Sequence, residues 1–371
     1  MFKMNFAAPK GGWKKQVVML VAYIIGGVAV LFLALLVYLS ATEYRPDPVA
    51  AVACEREAGT IPAPGDALSI LTFNIGYGGL GAQSDFFMDG GRDVRPESPD
   101  IVEKNLAGIR SILDGAGKAQ IYLLQEVDTA SKRSYGKDEA AYLRQGRQMD
   151  AAYALNYSCK YVPYPLPCIG AVQSGLYTMS SYSFCQEEAA ARLSLPNPFS
   201  WPVRLANLKR CLLVTRLELA GTERQLVLVN LHLEAYDDGN GKAAQTEMLM
   251  NFLGAEYEKG NYVIAGGDFN CSFPVVDPGA WPIMEAGNYV PGVMEPDALP
   301  AGFQWAVDGN TPTCRLLNKP LDAPGVNQFY VIDGFILSPN VELLQVETLD
   351  CGFLYSDHNP VLAQVRLREE Q

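Results

Sequence analysis

This chain contains very little histidine, and its cysteines lack the spacings that are typical of zinc sites. Only 2 of its 371 residues are histidine. Its 8 cysteines include no Cys-x-x-Cys pair and no zinc spacing, which excludes the common structural zinc motifs. The cysteines could instead form disulfides in an exported protein or be small buried hydrophobic residues. The sequence does not select between these two alternatives.

The glycine-rich segment 76–91 lacks the Lys-Ser/Thr ending of a P-loop. This absence excludes that kind of phosphate-binding loop and indicates a flexible connection. The segment 157–175 is dense in Tyr and Pro. Two interpretations stay open for it, a hydrophobic rim near an active site and ordinary packing on the surface.

Charge is missing from residues 17–40, a run of apolar and small residues. As a helix this run would be about 36 Å long, enough to cross a bilayer with some tilt. A cleaved signal peptide usually has a shorter apolar core, and a buried helix of this length normally shows a polar face. The sequence therefore predicts a transmembrane helix at 17–40, after a tail at 1–16.

The charges beside this run predict its orientation. Lys3, Lys10, Lys14 and Lys15 precede it, and no acidic residue does. By the positive-inside rule, the tail stays in the cytoplasm and the rest of the chain is translocated. We therefore expect a single-pass protein of the cell membrane, with a Pro- and Ala-rich stalk at 41–66 and an extracytoplasmic catalytic domain at 67–371.

Basic residues are also few in the part that follows the run. Four of the 29 basic residues lie in the tail, so the translocated part has 25 basic and 41 acidic residues, a net charge of about −16. Because non-specific DNA binding depends on basic groups that displace counterions, this charge disfavours long duplex DNA as a partner. A local basic patch would still permit nuclease activity.

Short apolar runs alternate with helical patterns after residue 67, which predicts a single large α/β (α+β) domain with sheets packed inside helices. We expect this domain to be monomeric. The predicted strands are 68–75, 121–125, 212–217, 226–231, 262–265, 329–337 and 362–367, and the predicted helices are 102–114 and 242–259.

Histidine, aspartate and asparagine recur at or near the ends of the predicted strands. The residues are His232, Asp268 with Asn270, Asp333, and His358. Hydrolysis of a phosphate ester requires a positioned water, a base for that water and an acid for the leaving group, and these residue types supply all three. The pattern predicts one site assembled from the whole domain.

Two further residues fit a magnesium site. Magnesium prefers hard oxygen ligands and takes few of them from the protein. Glu126 ends one apolar run, and Asn74 is a polar residue at the end of another, where a buried amide must find a partner.

These motifs together resemble the ordered motif set of the endonuclease/exonuclease/phosphatase superfamily, which includes DNase I-like nucleases, bacterial sphingomyelinases and inositol polyphosphate 5-phosphatases. The resemblance covers residues 68–367. It implies a DNase I-like layered sandwich of two packed mixed β-sheets flanked by helices. The motifs are Thr72-Phe73-Asn74, Gln125-Glu126, Asn230-Leu231-His232-Leu233, Gly267-Asp268-Phe269-Asn270, Ile332-Asp333 and Ser356-Asp357-His358.

The resemblance also implies the metal site. Glu126 would hold the catalytic Mg²⁺, for which Mn²⁺ is the expected substitute. Asn74 would be an amide at the metal or the phosphate, and Asp357 would complete the surroundings of the metal. Without the resemblance, Asn74 could satisfy backbone groups and Asp357 could cap a turn.

The remaining roles follow in the same way. Asp268 would orient or deprotonate the attacking water, and Asn270 would fix that water and the phosphate. His358 would contact the scissile phosphate as acid or base and would be held by Asp333, which could otherwise cap a turn. His232 would stabilise or protonate the leaving side. Substrate contacts are thus expected from Asn74, Asn270 and His232.

The acidic group Glu234, Asp237 and Asp238 is interpreted as a solvated loop and not as a second metal site. The leading hypothesis for the whole chain is a membrane-anchored, Mg²⁺-dependent phosphodiesterase acting on a lipid head group or a small phosphodiester. Nuclease action, phosphomonoesterase action and a catalytically silent binding protein are the alternatives. Substrate choice resides in loops, so the motifs do not decide between them.

Overall fold

The computed structural model describes residues 12–236 and 240–369. The chain divides into two compact units, Met1–Glu43 and Tyr44–Gln371. In its described part, the first unit is the helix α1 (Gly12–Ala41). Its portion Trp13–Ala41 is long and apolar enough to cross a membrane. The helix begins at Gly12, before the uncharged run, and includes Lys14 and Lys15. Lys3 and Lys10 lie outside the described residues.

The second unit consists mainly of strands. Its helices are α2 (Pro99–Asp114), α3 (Glu139–Arg144) and α4 (Asn240–Glu258). Its strands are β1 (Val49–Ala51), β2 (Cys54–Glu55), β3 (Ala67–Asn74), β4 (Ile121–Asp128), β5 (Asp150–Val162), β6 (Gly170–Ser180), β7 (Ala190–Ser194), β8 (Cys211–Glu218), β9 (Gln225–His232), β10 (Tyr262–Asp268), β11 (Cys271–Ser272), β12 (Gly292–Val293), β13 (Gln304–Ala306), β14 (Cys314–Arg315), β15 (Phe329–Tyr330), β16 (Asp333–Leu337), β17 (Val341–Thr348) and β18 (Val361–Leu367).

The strands build two seven-stranded mixed sheets. The first sheet has the order β1-β7-β8-β9-β10-β16-β13, and the second has the order β17-β18-β3-β4-β6-β5-β2. Each sheet has one parallel pair at its centre, β9 with β10 and β3 with β4, and its other pairs are antiparallel. Each parallel pair needs a crossover connection, which α4 and α2 provide.

The two sheets pack face to face over a shared core. Leu228 and Phe335 of the first sheet and Ile70 and Val365 of the second are all fully buried in one hydrophobic cluster. The outer faces are covered by helices, since residues of α4 cluster with β9 and β10, and residues of α2 cluster with β3 and β4. The predicted fold, two packed mixed sheets flanked by helices, is confirmed.

Six of the seven predicted strands agree with β3, β4, β8, β9, β10 and β18 to within a few residues, and both predicted helices agree with α2 and α4. The predicted strand 329–337 is instead two strands, β15 and β16, in different sheets. The break occurs because Ile332 leaves the ladder. Its N–H donates to Thr313 Oγ1, and its carbonyl accepts from the N–H of Phe269.

The segment 41–66 differs from the predicted stalk. It contains β1, which pairs with β7 at the edge of the first sheet, and β2, which pairs with β5 at the edge of the second. The carboxylate of Asp150 accepts hydrogen bonds from the N–H groups of Glu57 and Ala58 at 2.7 and 2.8 Å. Strand pairing satisfies backbone groups that a solvated stalk would leave to water, so most of this segment belongs to the folded domain.

None of the eight cysteines, all of which are described, takes part in a disulfide. Five of them are buried: Cys159, Cys185, Cys211, Cys271 and Cys314. Of the two alternatives left open by the sequence, the structure therefore favours small hydrophobic residues that fill the core.

A glycine one residue before the end of β10 permits close contact between β10 and β9. Gly267 has φ of 155°, and a Cβ atom there would lie 1.9 Å from the carbonyl oxygen of Leu231. We expect Gly267→Ala to lower the free energy of unfolding by about 3 kcal/mol or more, because a backbone atom cannot move aside as a side chain can. Urea denaturation measures this change. Gly136→Ala is the control for a glycine of positive φ, since nothing lies within 4 Å of its Cβ position, and a loss as small as in that control would contradict the expectation.

Candidate active site

The predicted site residues converge at the carboxyl ends of the central parallel strands. Asn74 ends β3, His232 ends β9 and Asp268 ends β10. Asp268 lies opposite His232 on one side and opposite Asp333 on the other. Because the two sheets pack face to face, these strand ends bring residues of both sheets to one edge of the sandwich.

Asp268 is the centre of this arrangement and is 2% exposed. Its Oδ2 accepts a hydrogen bond from Asn74 Nδ2 at 3.1 Å. The same oxygen lies 3.4 Å from His232 Nε2 and 3.7 Å from His358 Nε2. Its Oδ1 accepts from the N–H of Asn270 at 2.9 Å. One carboxylate thus contacts or closely approaches four of the predicted site residues.

The environment of Asp268 changes its acidity. Burial raises the pKa of Asp268 to about 6, and the nearby Asp333 carboxylate adds to this rise. His358, the N–H of Asn270 and the amide of Asn74 oppose it. A pKa close to neutrality is what a general base requires, since the group is then ionised yet still basic.

His358 is held by a buried carboxylate. Its Nδ1 lies 2.8 Å from Asp333 Oδ2, and its N–H donates to Ser356 Oγ at 3.2 Å. Burial lowers the pKa of His358, but the charges of Asp333 and Asp357 outweigh burial, so the pKa is raised well above its ordinary value. His358 is therefore a cation at neutral pH, with its Nε2 on the side of Asp268.

His232 has the opposite shift. Burial lowers its pKa well below the ordinary value, and the positive charge of Arg210 adds to this decrease. The imidazole is thus neutral at physiological pH. Within the described residues, its Nδ1 is buried and has no hydrogen-bond partner. The two histidines of the chain therefore enter one site in different protonation states.

Glu126 reaches the site through an irregularity of its strand. Its φ is 55°, and the pairing of β4 with β6 shifts register between Leu124 and Val127. A bulge of this kind redirects a side chain at the cost of local backbone strain. The side chain of Glu126 accepts from Asn74 Nδ2 at 3.3 Å and lines the same pocket as His232.

Asp357 adds a second carboxylate. Burial raises its pKa to about 7; the charge of Glu126 adds to this rise, while His358 and Arg315 oppose it. A divalent cation between these carboxylates would relieve their repulsion, and both carboxylates offer hard oxygen ligands. Asn74 turns its Nδ2 toward Glu126, while its Oδ1 accepts from the N–H of Gly76 at 3.0 Å. The two carboxylates fit magnesium.

A thiol lies close to the same group. Ligand atoms of Cys314, Asp357 and His358 lie within 4.8 Å of one another, as do those of Asp268, Asp333 and His358. Burial raises the pKa of Cys314 to about 12, and a soft sulfur is a poor ligand for a hard cation such as magnesium. Acidic and histidine groups that could hold a metal are therefore present, and the carboxylates are the better donors.

Asn270 is fixed on both sides. Its Nδ2 donates to the carbonyl of Leu233 at 3.0 Å, and its Oδ1 accepts from the hydroxyl of Tyr289 at 2.8 Å. Its φ of 50° lies in a region that few residues other than glycine adopt. The amide is thus held rigidly beside Asp268.

Gln125 and Asn230 belong to the predicted motifs but had no predicted role, and Arg133 was not predicted. Gln125 Nε2 donates to Asn230 Oδ1 at 2.8 Å and joins the two sheets behind the site. Arg133 donates to both carboxylate oxygens of Asp128 and covers the ring of Tyr77 at 3.7 Å. These contacts hold the strand on either side of Glu126. Tyr77 is fully buried, so this part of the segment predicted to be a flexible loop is packed.

The site residues open into a pocket of about 260 Å³. Asn74, Glu126, His232, Asp268, Asn270, Asp357 and His358 line it, whereas Asp333 is not among its lining residues. Tyr157 and Ile169 also line it, so the structure favours the rim interpretation of the segment 157–175. From the same segment, Tyr164 is 70% exposed and Leu166 is 85% exposed.

The interpretation of Glu234 as part of a solvated loop is wrong. Glu234 is 3% exposed and lines the pocket. Its Oε1 accepts from the N–H of Ala235, and its Oε2 lies 3.5 Å from Arg210 Nε. Buried acids need such partners. Asp237 and Asp238 lie outside the described residues.

No protein-family model and no curated protein sequence matches the chain. Solved structures with a similar fold include an endonuclease/exonuclease/phosphatase from Beutenbergia cavernae (18% identity, TM-score 0.46, 81% of this chain and 72% of that one) and another from Bacteroides vulgatus (16%, 0.47, 82% and 100%). TDP2 from Caenorhabditis elegans is a third (16%, 0.44, 82% and 75%). In fold, the chain resembles endonuclease/exonuclease/phosphatase proteins.

Proposed function

We propose that the chain is a metal-dependent phosphoesterase of the endonuclease/exonuclease/phosphatase type, and that its substrate is a phosphodiester in a lipid head group. The proposed hydrolytic activity is supported by the site residues that surround Asp268. A carboxylate with a pKa of about 6, a cationic histidine and a neutral histidine lie around one buried point. Groups of these kinds can activate a water molecule and stabilise the negative charge of a phosphoryl group.

Each residue then has a distinct task. Asp268 accepts the proton of the attacking water, and Asn270 holds that water. His358, kept cationic by Asp333, contacts the phosphoryl oxygens. His232 is neutral, so it acts on the leaving side by donating a hydrogen bond. The proton that the leaving alcohol gains comes from the cationic His358, which the proton taken up by Asp268 then restores.

Glu126 and Asp357 would hold the metal, which we propose to be Mg²⁺, with Mn²⁺ as a substitute, and Asn74 would orient Glu126 through its Nδ2. When bound, the metal neutralises negative charge on the phosphoryl group. The raised pKa of Asp357 supports this proposal, because a positive charge placed beside this buried carboxylate would stabilise its ionised form.

The lipid part of the proposal rests on exposed apolar residues that line the pocket or lie close in sequence to residues that line it. Met88 lines the pocket and is 46% exposed, and the ring of its neighbour Phe87 meets Tyr164 edge-on at 6.2 Å. Leu166 is 85% exposed. Trp201 and Val203, each more than half exposed, follow the pocket residue Phe199 closely in sequence. Exposed apolar groups of this kind commonly mark an interaction surface.

An activity assay separates the candidate functions. The chain after Ser40 is incubated with phospholipids in detergent micelles, a soluble phosphodiester, a phosphomonoester and plasmid DNA, each with Mg²⁺ and with EDTA. We expect Mg²⁺-dependent release of a phosphomonoester from phospholipid. Cleavage of DNA alone would establish a nuclease, and no turnover of any substrate would leave a binding protein.

The proposed location is the outer face of the cell membrane, with α1 as the anchor. It rests on the apolar length of α1 and on the lysines that precede its uncharged run. Protease added to intact cells should degrade the domain after residue 43 and leave an N-terminal tag intact. Lysed cells provide the control in which both are cut. Protection of the domain in intact cells would reverse the proposed orientation.

A further inference from the structure

One wall of the pocket is built from residues that the proposed reaction does not use. Arg210 directly precedes β8, Glu234 follows the end of β9, and Asn156 belongs to β5 of the other sheet. All three line the pocket that contains His232 and Asp268. They are 5%, 3% and 2% exposed. We name this group the Arg210 subsite.

The Arg210 subsite contains polar atoms without partners. Among the described residues, Arg210 Nε and Nη1, Asn156 Nδ2 and Glu234 Oε2 are buried and make no hydrogen bond. Arg210 Nε lies 3.5 Å from Glu234 Oε2, so the two charges offset each other without a direct bond. Since unpartnered buried polar groups are costly, their concentration in a pocket wall indicates a ligand that completes them.

The chemistry of these atoms selects the ligand. Three are donors and one is an acceptor, and the net charge of the group is zero. A hydroxyl group both donates and accepts, so neighbouring hydroxyls can donate to Glu234 while accepting from Arg210 and Asn156. We propose that the Arg210 subsite binds the hydroxyl groups of a polyol, such as glycerol or a cyclitol, esterified to the scissile phosphate.

Other head groups fit less well. A quaternary ammonium group offers neither a donor nor an acceptor, and the charge of Arg210 would repel it. A second phosphate would accept from Arg210 but would face the carboxylate of Glu234. The Oε1 atom of Glu234 already accepts from the N–H groups of Ala235 and Tyr236, so this carboxylate is fixed in place.

The inference rests on the proposed function, so its test includes a measurement that does not need turnover. Calorimetric titration of the Mg²⁺-loaded protein compares myo-inositol 1-phosphate with phosphocholine, and ³¹P NMR follows hydrolysis of phosphatidylinositol, phosphatidylglycerol and phosphatidylcholine in detergent micelles. We expect myo-inositol 1-phosphate to bind at least about tenfold more tightly than phosphocholine, the effect of one or two hydrogen bonds to charged groups. Both polyol lipids should be hydrolysed faster than phosphatidylcholine.

Two variants test the residues. Arg210→Gln and Asn156→Ala should each reduce the preference for myo-inositol 1-phosphate severalfold or more. Arg366→Gln is the matched control, because Arg366 forms an exposed ion pair with Glu342 outside the pocket. Thermal melting checks folding, and Asn156→Ala serves alone if Arg210→Gln does not fold, since it leaves the Arg210–Glu234 pair intact.

The outcomes are separable. Equal binding of the two phosphates, tighter binding of phosphocholine, or a preference that survives both variants would overturn the Arg210 subsite. A preference for myo-inositol 1-phosphate that the variants abolish, without hydrolysis of any lipid, would uphold the subsite and overturn the proposed lipid phosphodiesterase function.

Discussion

Asp268→Asn is expected to lower the turnover number by about 10²- to 10⁴-fold, the usual scale for loss of a general acid or base. The substitution keeps the shape of the side chain, and its carbonyl oxygen can still accept from the N–H of Asn270. It removes the negative charge that lies between the two histidines. Because this charge acts mainly in the transition state, KM and thermal stability should stay near those of the unchanged protein.

Steady-state kinetics on the substrate identified by the activity assay measures this loss. Asp277→Asn is the matched control, because Asp277 lies on an exposed loop. His358→Ala should cause a loss of similar size. The double variant should lose far less than the product of the two single losses, since residues that act as one unit are not additive. Turnover close to that of the unchanged protein in Asp268→Asn would refute the proposed mechanism.

The sequence predicted the central strands well because their apolar character is strong. The runs that became β3, β4, β9 and β10 are buried on both faces of their sheets, and such strands are continuous apolar segments. The edge strands were missed for the converse reason. β17, for example, has mostly part-buried or exposed positions, and its polar residues interrupt any apolar run.

Seven predicted site residues lie at or close to the ends of these central strands or in the short segment before β18, and the structure brings them together. Arg133, Arg210 and Glu234 could not be placed in the same way. Their burial depends on partners fixed by tertiary packing, such as the stacking of Arg133 on Tyr77, which lies more than 50 residues earlier in the chain. A charged residue in a polar segment resembles a solvated one until such partners are known.

The proposed metal site gives the second large expected effect. Glu126→Gln should lower activity strongly and raise the Mg²⁺ concentration for half-maximal activity by more than about 100-fold, since even loss of outer partners of a metal site costs about 10- to 100-fold. The glutamine side chain can still accept from Asn74 Nδ2, so the change removes a charge and leaves this contact. The strained backbone of Glu126, with φ of 55°, is unaffected by an isosteric side chain.

Activity measured across a Mg²⁺ series, together with calorimetric titration of Mg²⁺ into the protein without substrate, provides two independent readouts. Glu342→Gln is the matched control, because Glu342 is partly exposed and pairs only weakly with Arg366 at 3.3 Å. If Glu126 is a ligand, both the activity curve and the binding isotherm shift in Glu126→Gln and neither shifts in the control. An unchanged Mg²⁺ requirement would remove Glu126 from the proposed metal site and leave Asp357 as the principal proposed ligand.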